Sequence, residues 1–406
     1  MTDTVAPPDI KRLSSGEFIA LIGMMFATIA FSLDAMLPAL PEIAEELTPD
    51  RLTLAQLVLT SFILGMGVGT LFTGPLSDAF GRKPVIFAGA ALYVTGCVLA
   101  WVAPTLEMLL FARVLQGLGA AGPRVVAMAL VRDLYTGREM ARIMSFAMLV
   151  FTVAPAVAPL IGDGIVALFE WRAIFVSYIL FSVVTVGWLM LRQPETLPPG
   201  TRRPLNLPAL WASTKEALAL RQMRLSILVQ SLIYGALFGT LSSVQQIFDL
   251  TYGMEAAFPW LFGAIAVLAA PGAPINGRLV VRLGMRPLVR RALFVQVGCS
   301  SLFVAVLAMG FAPTVEVWVY FAWTATVFMM MGFTIGNLNA LALEPLGHIA
   351  GLASSLMGAI STIVGAAIGA AIGQLYDGTA LPLAVGVAVL AGVGGMIMRR
   401  MPREAV

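Results

Sequence analysis

Gly74-Pro-Leu-Ser-Asp78-Ala-Phe-Gly81-Arg82-Lys83-Pro84 is a short polar break, bounded by glycine, between two apolar runs at 53–76 and 84–103. Each run is long enough to cross the roughly 30 Å hydrocarbon core of a bilayer as a helix. The break therefore reads as a tight loop at a membrane face, with glycine where two helices turn and approach closely. A second copy stands 203 residues on, as Gly277-Arg-Leu-Val-Val281-Arg-Leu-Gly284-Met285-Arg286-Pro287. It keeps both glycines, the leucine, the proline and one basic residue. A repeat at the same place in each half of the chain argues for a duplicated unit.

Working outward, charged or Pro/Gly-rich breaks divide the chain into twelve spans. They are predicted at 18–40, 53–76, 84–103, 105–131, 140–168, 171–191, 224–250, 256–280, 287–311, 314–343, 349–376 and 379–398. The composition agrees: of 406 residues 59% are hydrophobic and 12% charged, about half the charge of a soluble domain. The predicted fold is all-α and integral to the membrane, twelve helices in two pseudo-symmetric six-helix bundles at 1–191 and 222–406. The connecting segment 192–221 holds Pro194, Pro198, Pro199, Pro204 and Pro208, with a short interfacial helix expected at Leu207 to Leu220. The first run, after Lys11 and Arg12, is too long for a signal peptide and lacks a small-residue cleavage site, so it is expected to stay as helix 1.

Basic residues set the expected orientation. With the N-terminus inside, 21 of the 25 Lys and Arg fall on the cytoplasmic side, among them Lys11, Arg12, Arg82, Lys83, Arg203 and Arg403. Both termini are then cytoplasmic, in a bacterial-type inner membrane. The net charge of +3 follows from this asymmetry and implies no nucleic-acid partner. Cys97 and Cys299 lie inside apolar runs without metal or disulfide spacing, and the only histidine, His348, lies in an expected loop. Neither an enzyme nor a metal site is expected.

Three further segments accompany the loop: Ser32-Leu-Asp34-Ala-Met-Leu-Pro38-Ala-Leu-Pro41; Arg113-Val-Leu-Gln116-Gly117; and Val131-Arg132-Asp133 through to Ala154-Pro155-Ala-Val-Ala158-Pro159-Leu-Ile-Gly162. Together they resemble the major facilitator superfamily, and within it the Bcr/CflA branch of twelve-span drug:proton antiporters. The resemblance covers much of the first half; the second is similar in span layout and in the degraded loop. It implies multidrug efflux coupled to the proton gradient, with no cofactor. It also associates Arg113 with proton transfer and places the Pro155, Pro159 and Gly162 segment, typical of antiporters, where the halves rock.

The residues support a physical reading of their own. Asp34 is expected about 16 residues into span 1, roughly 24 Å along a helix, where a carboxylate costs about 2.5 to 3.5 kcal/mol on insertion scales. It faces either a cavity, where protonation responds to access, or interfacial water. Arg113, roughly 12 Å below the outer end of span 4, is at a depth that permits contact with Asp34 or with an acidic substrate group. Gly74, Asp78, Gly81, Arg82 and Lys83 read as a gating latch that holds the outward-open state, or as a topology signal alone; Arg82 and Lys83 are expected to lie against the anionic inner leaflet. Val281 in place of Asp78 predicts a weaker second latch. Arg124 is expected to snorkel towards the cytoplasmic surface, and Asp163 receives no role.

Phe26, Gln116, Tyr234, Gln245, Asn337 and Asn339 are candidates for lining a substrate cavity, together with Trp260 and Trp323, since such pockets are apolar with a few polar groups. Expected partners are a small-molecule substrate, protons and membrane lipid, around a functional monomer. Two alternatives stay open: a proton-coupled or facilitated transporter of a small metabolite, and a non-transporting membrane receptor or scaffold.

Overall fold

A computed structural model describes residues 13–202 and 204–401. Lys11, Arg12, Arg203 and Arg403, used above for orientation, lie outside the described residues. The first half contains α1 (Ser15–Asp34), α2 (Leu40–Leu47), α3 (Leu57–Phe80), α4 (Arg82–Trp101), α5 (Leu106–Leu134), α6 (Gly137–Leu168) and α7 (Ala173–Arg192). The connecting segment holds α8 (Leu207–Ala219). The second half contains α9 (Arg221–Gln246), α10 (Phe258–Ala269), α11 (Gly272–Leu283), α12 (Met285–Ala308), α13 (Pro313–Leu343), α14 (Ala350–Gly373) and α15 (Leu381–Arg399). No strand occurs among the described residues.

Among the described residues, ten stretches are long and apolar enough to cross a membrane. One of them, Pro313–Gly373, contains both α13 and α14, and α6 carries a further apolar stretch at Val153–Leu168, which brings the crossings to twelve. Large apolar side chains such as Leu168, Leu191, Val267, Val295 and Leu302 stand exposed, as a lipid-facing surface requires and a soluble monomer avoids. Side-chain caps start several helices: Ser14 accepts from Glu17 N at 3.3 Å, Thr105 from Met108 N at 3.4 Å, and Asn206 from Ala209 N at 3.0 Å. Each satisfies one of the first N–H groups that a helix leaves unbonded.

Two spans differ from expectation, both because of proline. Span 1 does not run to residue 40: α1 stops at Asp34, a 3-10 turn covers Leu37–Ala39, and α2 starts at Leu40. Pro38 and Pro41 supply no N–H and restrict the residues before them, so the helix ends ahead of them. Asp34 is thus the last residue of α1 rather than an interior one. Span 8 breaks at Pro271 into α10 and α11. Gly272 lies in that break against the backbone of Met329 on α13.

The repeated loops fold alike. Gly81 (φ 103, ψ 162) links α3 to α4, and Gly284 (φ 77, ψ 157) links α11 to α12. Only glycine adopts this conformation without strain. Lys83 Nζ then donates to the Met190 carbonyl at 2.9 Å, while Arg286 donates to the carbonyls of Met398 and Arg399 at 3.3 and 3.0 Å. In each half the loop's last basic residue thus fastens to the end of that half's final helix.

The halves meet where α3 packs on α14 and α6 on α10, two contacts related by the repeat. At the end away from the loops they are also joined by polar bonds: Gln56 Nε2 donates to Gln246 Oε1 at 2.5 Å, and Gln374 Nε2 to the Thr53 carbonyl at 2.7 Å. At the loop end a cavity of about 810 Å³ lies between them.

Candidate functional site

The largest buried charge in the first half sits where three helices touch. On α5, Gly117 lies so close to α3 that a Cβ there would collide with the Phe62 carbonyl. That close approach lets Arg113, one turn earlier, bury its guanidinium completely. Nε donates to the Val58 carbonyl at 3.1 Å, Nη2 to the Ser32 carbonyl at 3.0 Å, and Nη1 to Gln116 Oε1 at 2.5 Å. Its Cζ is 4.5 Å from the Phe62 ring centroid. Around it, Ser32 Oγ and Tyr93 OH lie 2.6 Å apart, Tyr178 OH donates to the Ser32 carbonyl at 3.3 Å, and Gln116 Nε2 reaches Cys97 Sγ at 3.1 Å.

Asp34 stands two residues beyond Ser32 and is 5% exposed. Its carboxylate makes no hydrogen bond and no ion pair among the described residues. The expected contact with Arg113 is therefore absent, because neutral acceptors already occupy all three guanidinium nitrogens. The two charges are linked through the backbone of residues 32–34 instead. Gly162 on α6 packs directly on the Ala35 carbonyl, which sets the turn that follows Asp34.

At the loop end, Arg82 gathers a second charged cluster: Asp78 at 2.6 Å, Asp133 at 2.9 Å and Ser77 Oγ at 2.9 Å. Glu195, just past α7, accepts the backbone N–H groups of Arg82 and Lys83 at 3.0 and 2.9 Å, capping α4 with a carboxylate where the helix dipole favours one. Thr196 donates to Asp133 at 2.7 Å. Arg82 and Lys83 thus bond within the protein, Arg82 to Asp78 and Asp133 and Lys83 to the Met190 carbonyl. Glu195 was not singled out from the sequence, and Asp133 entered only as part of the Val131–Gly162 segment. The Pro194-Glu195-Thr196 run, a carboxylate freed by a helix-ending proline, is the signal that could have found Glu195. Asp78, 51% exposed at its side chain, lines the 810 Å³ cavity with Gly74, and Gly347, Ala350 and Ser355 of the second half lie across it.

The remaining candidates scatter. Pro155 and Pro159 lie inside a continuous α6, and Gly263 of α10 faces the Ala156 carbonyl between them. Phe26 is buried in an apolar cluster beside α5, and Trp323 stacks on Phe303. Trp260 is exposed on α10 along the same face as Val267 and is not part of the 810 Å³ cavity wall. Asn337 donates to Asn276 Oδ1 at 2.7 Å, tying α13 to α11, and Asn339 lies two positions further along α13, half-buried. Gln245 lines a small pocket of about 60 Å³ at the far end, next to Asp249. Tyr234 on α9 and Arg124 on α5 are each half-buried.

Comparison with known proteins follows the same lines. The sequence profile described as the Major Facilitator Superfamily matches residues 20–370. A bicyclomycin resistance protein homolog of Haemophilus influenzae is 31% identical over 381 residues, covering 92% of this chain and 93% of that protein. A chloramphenicol resistance protein of Pseudomonas aeruginosa is 28% identical over 406 residues, covering 94% and 90%. Among solved structures, a D-xylose-proton symporter superposes with a TM-score of 0.75 at 12% identity, covering 95% of this chain and 98% of that one.

Proposed function

The chain belongs to the Major Facilitator Superfamily, and from that premise we propose that it exports drug-like amphiphilic molecules in exchange for protons by alternating access. Its relatives are named for bicyclomycin and chloramphenicol resistance. In this reading residues 1–191 and 222–406 are the rocking bodies, and 192–221 is the link between them. The loop end, rich in Arg and Lys, is the cytoplasmic face of a bacterial inner membrane, with both termini inside.

The observation that carries the coupling is the Asp34 carboxyl, enclosed without a hydrogen-bond partner two residues from the carbonyl that holds Arg113. An ionised carboxylate enclosed alone is costly, so the group takes up a proton when shut away from water and returns it when water enters. Arg113 stays charged throughout; its role is to hold the 32–34 backbone and bias that exchange. In this reading the glutamine contacts at the far end and the open cavity at the loop end belong to an inward-facing arrangement. Asp78 is then the released half of a latch that would meet the second half when the loop end closes.

The test uses everted membrane vesicles with a respiratory pH gradient. Substrate addition should partly discharge the gradient with the wild-type chain and not with Asp34→Asn. A wild-type chain that moves substrate without touching the gradient would replace antiport by facilitated transport.

A further inference from the structure

At the loop end the second half carries basic side chains without acidic ones. Segments 221–224, 278–291 and 399–400 hold nine arginines and no Asp or Glu. The first half pairs cations at the same end with its own acids, Arg82 with Asp78 and Asp133, and Arg192 with Glu17. In the second half Arg221, Arg224, Arg290, Arg291, Arg399 and Arg400 make no ion pair among the described residues. All but the half-buried Arg290 are exposed. Glu216, in the connecting segment, is taken by His348 at 2.8 Å. Like charges gathered in this way repel, and an anion from outside the chain relieves them.

Hydrogen bonds draw the arginines to one helix end. Arg221 Nη2 donates to the Arg400 carbonyl at 3.2 Å, and Arg286 donates to the carbonyls of Met398 and Arg399 at 3.3 and 3.0 Å. The ring of Phe294 on α12 lies where a Cβ on Gly395 of α15 would meet it, and Arg399 Cζ stands 5.1 Å from that ring's centroid. The starts of α9 and α12 thus close on the end of α15. Away from the charges the surface turns apolar. Val295 and Leu302 follow Arg291 by four and eleven positions on α12, and Met396 and Val389 precede Arg400 by the same intervals on α15. Residues so spaced share a helix face, and all four are exposed.

We infer that the loop ends of α12 and α15, with the start of α9, bind the headgroup of an anionic phospholipid whose acyl chains run along these apolar stripes. A phosphate diester presents acceptors that fit the guanidinium fork, whereas a zwitterionic headgroup brings an ammonium that the arginines repel. Topology accounts for the number of arginines at this end, but not for the bonds that gather them around α15. The repeated loop, which has Val281 where the first half has Asp78, then receives its anion from the lipid. The inference needs only the membrane fold and stands apart from the export reading.

The experiment incubates the purified full chain in detergent with equal amounts of phosphatidylglycerol and phosphatidylcholine and counts the retained lipids by native mass spectrometry. The wild type should retain the anionic lipid about tenfold more often, the scale of one or two basic residues at a charged headgroup. Arg399→Gln with Arg400→Gln should bring the ratio within about twofold, and Arg291→Gln should lose a smaller part. Arg138→Gln with Arg142→Gln removes the same charge from exposed positions of α6 and should leave the ratio unchanged. Melting temperature reports folding; if the Arg399 and Arg400 pair lowers it, the ratio of Arg291→Gln against the α6 pair decides. No preference in the wild type overturns the site, and so does an equal loss in both pairs, which would reduce the effect to net charge. In a thermal-shift arm, phosphatidylglycerol should stabilise the wild type and soluble glycerol phosphate should not. Equal stabilisation by both would replace the lipid with a soluble anion and overturn the proposal.

Discussion

Arg113 Nη2 lies 3.0 Å from the carbonyl oxygen of Ser32, so a fully buried cation grips the backbone immediately before a buried acid instead of pairing with it. Burying an ion pair and then breaking it is strongly destabilising. With the cation held on carbonyls, the carboxyl of Asp34 has no ion-pair partner among the described residues to lose in the proposed proton exchange.

That division of labour separates two substitutions. Asp34→Asn should leave the melting temperature of the purified chain nearly unchanged and reduce substrate-driven proton movement to the level of empty vesicles. Arg113→Leu strips the donors from Val58, Ser32 and Gln116, at about 1–3 kcal/mol for each acceptor left unmet, and should lower the melting temperature and yield as well as transport. Thermal shift and vesicle assays on the same preparations check both. Equal melting losses in the two variants would count against the assignment.

At the loop end, exposure decides which acid is structural. The Asp133 side chain is 20% exposed and Asp78 51%. Asp133→Asn should therefore cost more stability, about 1–3 kcal/mol, by weakening bonds from both Arg82 and Thr196. Asp78→Asn should cost under about 0.5 kcal/mol while slowing transport severalfold, because the proposed latch acts in the other conformation. Val281, 85% exposed and without charge, should tolerate alanine with no change in either measurement. Comparable transport losses for Asp78→Asn and Val281→Ala, at matched expression, would remove the asymmetry between the halves.

The far-end closure predicts a crosslink. Gln56 and Gln246 bond directly through their side-chain ends across the two halves, so Gln56→Cys with Gln246→Cys should be bridged by a short bis-methanethiosulfonate reagent, which spans the gap that the shorter cysteines leave. Transport should stop, and a reductant should restore it. Each single cysteine should stay active under the same reagent. Treatment that produces the crosslinked band on a gel yet leaves transport intact would show that this end does not open in the cycle.

The helices were readable because lipid demands long apolar runs, and the paired loops were readable because Gly81 and Gly284 hold a backbone conformation that few other residues tolerate. The misplaced end of α1 is a local competition: apolar composition continues to residue 40, but Pro38 and Pro41 stop the hydrogen-bond ladder first. The site was legible only in its members. Asp34 and Arg113 stand out as charges in apolar sequence, whereas their separation depends on three acceptors from three helices, Ser32, Val58 and Gln116, and no periodicity encodes that.

The final prediction joins the α6 segment to the acid. A Cβ on Gly162 would run into the backbone of Ala35, the residue after Asp34, and backbone cannot yield as a flexible side chain does. Gly162→Ala should therefore displace the turn that carries Asp34 and reduce proton-coupled transport at least severalfold, although alanine is apolar and favours helix by about 1 kcal/mol over glycine. Gly164 is the internal control: it lies on the same helix with nothing within 4 Å of its added Cβ, so Gly164→Ala gains the helix preference without the collision. Vesicle transport and melting temperature measured for the pair separate the contact from the propensity. If both alanines behave alike, the close approach of α6 to the 34–35 turn has no part in coupling.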